Sequence, residues 1–486
     1  MVTPATLIGL DFGSTTSSAV IASARVVQNV VTGRMELGDI RERSRSPVVF
    51  TPFRGESIDE PRVLSLLDGW LADGDVRPED VLGGGAIVTG LCARRENAPA
   101  VARLIRSRIG DAVIATADDP RLESWLAFMG NAAELSRANP GCHFLNLDLG
   151  GGTTNLALGK AGEVLRTGSL FVGARHFQVA PGTYRIVARS THARALADHL
   201  GIHKGPGDTL DPSEVGAILD FYVGLLEAAV IGDEAPFRAP IAAQHREAAL
   251  DLPPDRAAGP ASPILTLSGG VGELIEAHLR GAPLPSTTHY GDLGIDLARR
   301  LLDSPALSAG FSMSALPPGV DGVPQRPRGG GRAVAYGLLE HATEVSGATL
   351  HLPRPDSLPL EDLPIVATIA ASSTAADVAR ALDLVRRSAR GAGLRVEGLA
   401  GGLAGVRELG AKLATALREA RFPPDHPLVL LVTENVGKAL GGYVTEWGLV
   451  PVHLVVVDEV SRRDASFVRL GRLCSGVVPL SFYGMH

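Results

Sequence analysis

Two stretches of the chain repeat one short pattern, Asp11-Phe12-Gly13-Ser14-Thr15-Thr16 and Asp148-Leu149-Gly150-Gly151-Gly152-Thr153-Thr154. Each follows an apolar-rich run, Leu7 to Leu10 or Phe144 to Leu147, which predicts a buried strand that ends at the aspartate. A turn of Gly, Ser and Thr then leads into a returning strand. A strand–turn–strand unit that occurs twice predicts two lobes of like α/β fold.

The small residues of both turns are suited to holding phosphate groups. Backbone N–H groups approach phosphate oxygens closely where Cβ atoms are missing, and hydroxyl groups add further donors. The candidate phosphate ligands are Gly13, Ser14, Thr15 and Thr16 in the first turn, and Gly150, Gly151, Gly152, Thr153 and Thr154 in the second.

The aspartates at the two strand ends, Asp11 and Asp148, are candidates for metal binding and catalysis. Mg²⁺ keeps several waters and takes few protein ligands, so two facing carboxylates suit it. The metal would bridge phosphates and offset their charge during transfer. The pattern therefore predicts a site for ATP or ADP with Mg²⁺.

A third glycine turn, Ser268-Gly269-Gly270-Val271-Gly272, follows a predicted strand at Pro263 to Leu267 and precedes a helix predicted from Glu273 onward. A flat nucleoside can lie against the bare backbone of such a turn. For any one of the three turns, a plain tight turn is the commoner interpretation. Three of them in this order, two with an aspartate, favour a nucleotide site instead.

Bulk composition limits the remaining classes of protein. With 486 residues the chain is too long for a single core, and its formal net charge of -7 argues against nucleic acid as a partner. No apolar stretch is long enough to span a bilayer and no signal-peptide pattern is present, so we expect a cytoplasmic protein with no membrane partner. The three cysteines are far apart, which argues against a disulfide framework or a zinc site.

The order of the three turns, followed by a helix with small residues at 331–343, resembles the actin, Hsp70 and sugar-kinase superfamily. The resemblance implies an actin-like, ribonuclease H-like fold with duplicated ATPase lobes. It also implies that the hairpins hold phosphates, that the third turn holds adenosine, and that two helices connect the lobes.

The first connecting helix would begin near Asp119 and run through Glu123 to Gly130. In the superfamily, an acidic or amide residue near this connector positions the attacking water, and Glu123 is the matching candidate. A glutamate in the first turn of a helix is also favoured by the helix dipole alone. Both interpretations of Glu123 remain open.

A closer resemblance, to the reactivating factors of ethanolamine ammonia-lyase, covers most of the chain. It is carried by Ser46 to Pro52, Ile87 to Gly90, Leu122 to Ser124, Leu147 to Asn155, Thr433 to Gly441 and Val478 to Leu480. Hydantoinase-like relatives usually have Asp where this chain has Asn155, which favours the reactivating factors.

The resemblance implies a chaperone-like ATPase that promotes exchange of damaged cobalamin for intact adenosylcobalamin. Its partner would be ethanolamine ammonia-lyase, in the cytoplasm and in association with a bacterial microcompartment. A small-molecule kinase and a non-catalytic, filament-forming actin relative are the alternatives. The sequence indicates no oligomeric state.

We expect a first lobe at 1–143, a second lobe at 144–345 and a small α/β domain at 353–486. Val48 to Thr51 is predicted as a third strand of the first lobe, and Pro353 to Pro364 as a linker. In the C-terminal segment, Gly437-Lys438-Ala439 lacks the first glycine and the hydroxyl of a Walker P-loop. We interpret it as a helix start, or as part of a partner surface.

Overall fold

A computed structural model gives the fold of most of the chain. It describes residues 5–13, 15–30, 34–54, 57–88, 96–110, 113–116, 120–250, 263–311, 329–347, 349–399, 402–461, 463, 465–474 and 476–485. Ser14 lies outside the described residues, as do Thr89, Gly90 and Asp119. Within these ranges, no helix combines the length and the apolar character needed to cross a membrane.

The first lobe is built on a mixed sheet. Its strands lie in the order Met35–Arg45, Thr16–Gln28, Ala5–Phe12, Val81–Val88 and Val113–Thr116. The first three are antiparallel neighbours and the last two add in parallel. The helices Glu60–Asp73 and Ala98–Ile109 cover the sheet and close an apolar core.

The second lobe repeats this arrangement. Its strands lie in the order Arg246–Ala248, Glu163–Leu170, Thr154–Lys160, His143–Leu149 and Ile264–Ser268. Again the first pairings are antiparallel and the last is parallel. The repeated order and sense of the strands confirm the duplicated, actin-like class predicted from the two hairpins.

Helices and a small hairpin complete the second lobe. The helices are Thr191–His199, Pro212–Ile231, Pro240–Gln244, Gly269–Leu279, Gly294–Asp303 and Pro305–Ser308, and the hairpin pairs Phe177–Val179 with Ile186–Arg189. The long helix begins at Pro212, because Asp211 and Glu214 form a capping box around it.

Two helices cross between the lobes, as the resemblance implies. The helix Pro120–Asn131, which continues into Ala133–Ala138, packs on the second-lobe sheet, whereas Ala333–His341 packs on the first. Where they cross, a Cβ on Gly130 would lie 1.9 Å from the carbonyl oxygen of Ala333. Glycine is therefore required at this crossing.

The C-terminal segment forms a separate sheet. Its strands lie in the order Thr343–Val345, Pro479–Met485, Ala465–Leu470, Leu360–Ala370, Ala392–Glu397, Pro427–Val432 and His453–Val457. The last four are parallel and are connected through the helices Ala375–Arg387, Leu403–Glu419 and Gly437–Val444. The predicted α/β character of this segment is confirmed.

Three local predictions differ from the structure. The third strand of the first lobe is Met35–Arg45, and the predicted strand at 48–51 is reduced to Val49–Phe50. A strand begins at Leu360, inside the stretch predicted as a linker. The helix after the third turn begins at Gly269 and not at Glu273, so the glycines form its first turn.

Candidate functional site

The two hairpin turns have the same backbone geometry. The N–H of Gly13 donates to the carbonyl oxygen of Thr16 at 2.9 Å, and the N–H of Gly150 donates to that of Thr153 at 2.9 Å. In both lobes the aspartate occupies the end of the strand that enters the turn. The sequence repeat is thus a structural repeat down to single hydrogen bonds.

At Gly151 the second turn packs too closely for any residue larger than glycine. A Cβ on Gly151 would lie 1.5 Å from Oγ1 of Thr15, so the first turn touches the second across the cleft. The N–H groups of Ala174 and Arg175 donate to the carbonyl oxygens of Gly150 and Gly151 at 3.1 and 2.7 Å. These hydrogen bonds fix the second turn to the segment 174–175.

The first turn is held by Thr51, a residue that sequence reasoning did not single out. Its N–H donates to the carbonyl oxygen of Thr15 at 2.9 Å, and its hydroxyl donates to that of Gly13 at 2.7 Å. The sequence signal that could have identified Thr51 was the motif Ser46 to Pro52. This motif supports the family resemblance, but the resemblance assigns it no role. Thr51 therefore braces the first turn much as residues 174–175 brace the second.

The described residues of both turns, except Thr154, line one cleft between the lobes. The cleft is lined by Asp11, Gly13, Thr15, Thr16, Glu123, Asp148, Gly150, Gly151, Gly152, Thr153, Gly269, Gly270, Gly331, Ala333 and Val334. Most predicted site residues are thus brought together, although they come from distant parts of the sequence.

Four predicted residues lie elsewhere. The hydroxyl of Thr154 donates to the carbonyl oxygen of Val172 at 2.8 Å inside the second lobe. Ser268 is buried behind the cleft beside Asp148, and Gly272 packs near Leu267. Val271 lines a neighbouring cavity.

The two aspartates are an electrostatically unusual pair. Burial, with a contribution from the charge of Asp148, raises the pKa of Asp11 to about 8. Burial likewise raises the pKa of Asp148 to about 6, and a hydrogen bond from the Ser268 hydroxyl opposes that shift. No cationic group of the described chain offsets either charge.

Buried oxygens in the cleft fit a magnesium–phosphate ligand. Oδ1 of Asp11 is buried and has no hydrogen-bond partner, and the same holds for Oγ1 of Thr15. A buried carboxylate without a donor is costly, and a divalent cation with hard oxygen ligands would remove that cost. The hydroxyl of Thr15 has the chemistry of a phosphate donor.

A second cavity adjoins the cleft and has apolar walls. It is lined by Thr15, Thr16, Val48, Val49, Phe50, Gly150, Gly151, Ala174, Gly270, Val271, Glu273, Leu274, Ala277, Tyr290, Asp292 and Gly294. The guanidinium of Arg175 lies 5.0 Å from the centre of the Phe50 ring. Aromatic and aliphatic walls with a few polar groups are typical of a small-molecule pocket.

Glu123 lies in the same cleft as the two aspartates and is 8% exposed. It also occupies the first turn of the helix Pro120–Asn131, as its alternative interpretation requires. The structure is therefore compatible with both interpretations.

Comparison with known proteins assigns the chain to a family. The family model described as "Ethanolamine utilisation protein EutA" matches residues 5–484. The chain belongs to this family. The ethanolamine ammonia-lyase reactivase EutA of Salmonella typhimurium is 29% identical over 490 residues, which cover 98% of this chain and 97% of that protein. The protein of the same description from Escherichia coli is 29% identical over 486 residues, with 98% and 97% covered.

Similarity to solved structures is distant. A crystal structure of the Ppx/GppA phosphatase of Aquifex aeolicus has a TM-score of 0.32 and 13% identity, over 58% of this chain and 73% of that one. Such a likeness carries no weight for this EutA-family chain. Its actin-like class follows from the strand order of the two lobes.

Proposed function

We propose that this EutA-family protein binds ATP with Mg²⁺ between its lobes, hydrolyses it slowly, and uses the cycle to reactivate ethanolamine ammonia-lyase. Family membership over residues 5–484 supports the reactivase role. The two aspartate-ended hairpins that face each other across one cleft support the nucleotide site, and this is the observation on which the proposal rests most heavily.

The phosphates would be held by the two turns. In the first turn the donors are Gly13, Thr15 and Thr16, with Ser14 predicted to join them. In the second they are Gly150 to Thr153, while Thr154 and Ser268 would support the turn and Asp148 from behind. The nucleoside would occupy the apolar cavity against the first turn of the helix Gly269–Leu279.

Asp11 and Asp148 would hold Mg²⁺, which supplies charge compensation at the phosphates. Within the chain, the two turns orient the phosphate tail, and the N–H groups near Gly150 stabilise negative charge there. We propose that Glu123 orients the attacking water, because it lines the same cleft as the two aspartates.

Nucleotide turnover can do work only if the partner binds the two states differently. A cleft that closes on ATP and relaxes on ADP is a hinge. We propose that the lyase binds one of these states, which loosens its cobalamin site, and is released by the other. The cytoplasm, in association with a bacterial microcompartment, is the proposed location. The domain boundaries 1–143, 144–345 and 353–486 stay a prediction.

The C-terminal segment is the proposed extra contact for the lyase. Trp447 and Leu449 are 75% and 78% exposed on one turn there. Glu446 and Trp447 both have positive φ angles, 44° and 58°, which are unfavourable for residues with a Cβ. If this turn contacts the lyase, Trp447→Ala will weaken reactivation without altering nucleotide binding, whereas Leu384→Ala, at an exposed position on another helix, will change neither.

The reactivase proposal is tested with lyase loaded with inactive cyanocobalamin. The lyase is mixed with this protein, ATP, Mg²⁺ and free adenosylcobalamin, and the release of ammonia and acetaldehyde is followed. We expect activity to recover with ATP and to stay low without it or with Asp148→Asn. Equal recovery without ATP, or no recovery with every component present, would contradict the proposal.

A further inference from the structure

Asn131, the last residue of the first connecting helix, bonds three separate segments. Its Oδ1 accepts the N–H groups of Gly329 and Gly330 at 3.0 and 3.3 Å, just before the second connecting helix. Its Nδ2 donates to the carbonyl oxygen of Leu267 at 3.0 Å and to Oδ1 of Asn146 at 2.8 Å. Two donors face one end and two acceptors the other, so the amide has only one satisfactory orientation.

The chain of hydrogen bonds continues from Asn146 to Asp148. Oδ1 of Asn146 also accepts the hydroxyl of Thr266 at 2.9 Å, so its Nδ2 must face the other way. That Nδ2 donates to Oγ of Ser268 at 3.0 Å. The single hydroxyl proton of Ser268 is then directed to Oδ1 of Asp148 at 2.6 Å.

Every member of this relay, which comprises Asn131, Asn146, Ser268 and Asp148, is buried. Buried polar groups that are fully bonded hold one arrangement, because each broken bond leaves an unsatisfied group in a low-dielectric interior. A displacement of residues 329–330 would therefore have to break or shift bonds along the relay.

We propose that Asn131 is a positioning residue that couples the start of the second connecting helix to the orientation of Asp148. The proposal rests on the nucleotide function proposed above, and it adds a route by which lobe movement changes Mg²⁺ affinity. When residues 329–330 sit as observed, the relay holds the Asp148 carboxylate in one direction. When they move, the carboxylate loses that constraint, and Mg²⁺ binding weakens.

The decisive experiment measures binding and not only turnover. Thermal unfolding of the full chain is followed at fixed ADP while Mg²⁺ is titrated, for the wild type and Asn131→Ala. We expect the Mg²⁺ concentration for half-maximal stabilisation to rise about tenfold, as is typical when the hydrogen-bond partners of a ligand are removed. Affinity for ADP without Mg²⁺, measured by calorimetry, should change by less than about twofold, because the relay touches no phosphate donor directly.

A double variant separates the relay from general loosening of the core. If Asn131 acts through Ser268, Asn131→Ala will have no further effect on the Mg²⁺ midpoint in a Ser268→Ala background. Ser136→Ala is the matched control, because Ser136 is also fully buried and accepts the N–H of Gly162 at 3.1 Å outside the relay. Asn131→Ser is measured as well, because its hydroxyl can still bond some of the buried groups around position 131 if Asn131→Ala does not fold, and the same rise in the Mg²⁺ midpoint is expected.

The outcomes also separate this inference from the proposed function. If Mg·ADP stabilises the wild-type protein and the Mg²⁺ midpoint of the Asn131 variant is unchanged, the relay proposal is wrong and the proposed nucleotide site is unaffected. Additive effects of Asn131→Ala and Ser268→Ala also overturn the relay. A wild-type protein that Mg·ADP does not stabilise overturns both proposals.

Discussion

Asp11 and Asp148 occupy the same position in two copies of one hairpin, yet their surroundings differ. The neighbouring parallel strand places Ile87 beside Asp11 and Ser268 beside Asp148. As a result Asp148 receives a hydroxyl donor, whereas Oδ1 of Asp11 receives none. Duplication reproduces the backbone, but one residue on a neighbouring strand decides whether the carboxylate is oriented in advance or depends on its ligand.

The largest expected effect comes from removing either carboxylate. Asp11→Asn and Asp148→Asn should each lower Mg²⁺-dependent ATP hydrolysis by about 100-fold or more, because a metal ligand in the transition state is lost. Asp11→Asn should also raise the melting temperature of the nucleotide-free protein at neutral pH, since the folded wild type must keep a proton on Asp11 that the unfolded chain loses. Phosphate release and thermal unfolding measure the two effects. Hydrolysis within twofold of the wild type in both variants would contradict the metal assignment.

The third carboxylate of the cleft, Glu123, should have a kinetic effect without a binding effect. Glu123→Gln keeps the shape of the side chain and removes its basicity, so we expect turnover to fall by about 100-fold while nucleotide affinity stays near that of the wild type. Single-turnover hydrolysis and calorimetry check this. Unchanged turnover would leave Glu123 as a helix-start residue.

Contact between the two hairpins can be broken directly. Gly151→Ala places a Cβ 1.5 Å from Oγ1 of Thr15, so the turns must separate. We expect nucleotide affinity to fall by about tenfold, because the donors of the two turns no longer converge. Gly141→Ala is the control, since a Cβ there meets nothing within 4 Å. Equal affinities in the two variants would show that the contact is irrelevant to binding.

A further expected effect is a pH dependence of stability that differs between the two aspartates. The pKa of Asp11 is raised from 3.8 to about 8, and that of Asp148 from 3.8 to about 6. At pH values between these limits the folded state keeps a proton that the unfolded state loses. Stability without nucleotide should therefore fall as pH rises through these windows. Denaturant unfolding from pH 4 to 8 checks this, and only Asp11→Asn should flatten the curve above pH 6. An identical slope in that variant would exclude Asp11 as its source.

The sequence predicted the hairpins and the third turn because their determinants are local. A strand that ends in Asp followed by Gly and Thr needs few distant partners to specify its turn. The edge strand Met35–Arg45 was missed because most of its side chains are polar and at least partly exposed, so it lacks an apolar pattern. The start of the strand Leu360–Ala370 was obscured by Pro359 and Pro364, of which the latter lies within the strand, whereas its second half, Ile365 to Ala370, is predicted from the sequence.

The relay and the brace at Thr51 could not be read from the sequence for a different reason. Asn131 and Asn146 are ordinary amide residues, and their significance depends on partners as far as 199 positions away. Burial turns such residues into fixed donors and acceptors, and only the tertiary fold decides which residues are buried. Hydrophobic periodicity and motif spacing indicate neither which of these residues are buried nor which residues they contact.

Thr343, just beyond the second connecting helix, bonds one residue that is synthesised long before it and one that is synthesised long after it. It accepts the N–H of Gly84 at 2.8 Å from the first lobe, and its hydroxyl lies 3.2 Å from that of Ser481, 138 positions later. At typical elongation rates of about 5–20 residues per second, Ser481 is added roughly 7–30 s after Thr343. During that interval the strand Thr343–Val345 has no ladder partner, and its edge is open to other chains. The edge of this strand is completed only when the C-terminal strand Pro479–Met485 has been added.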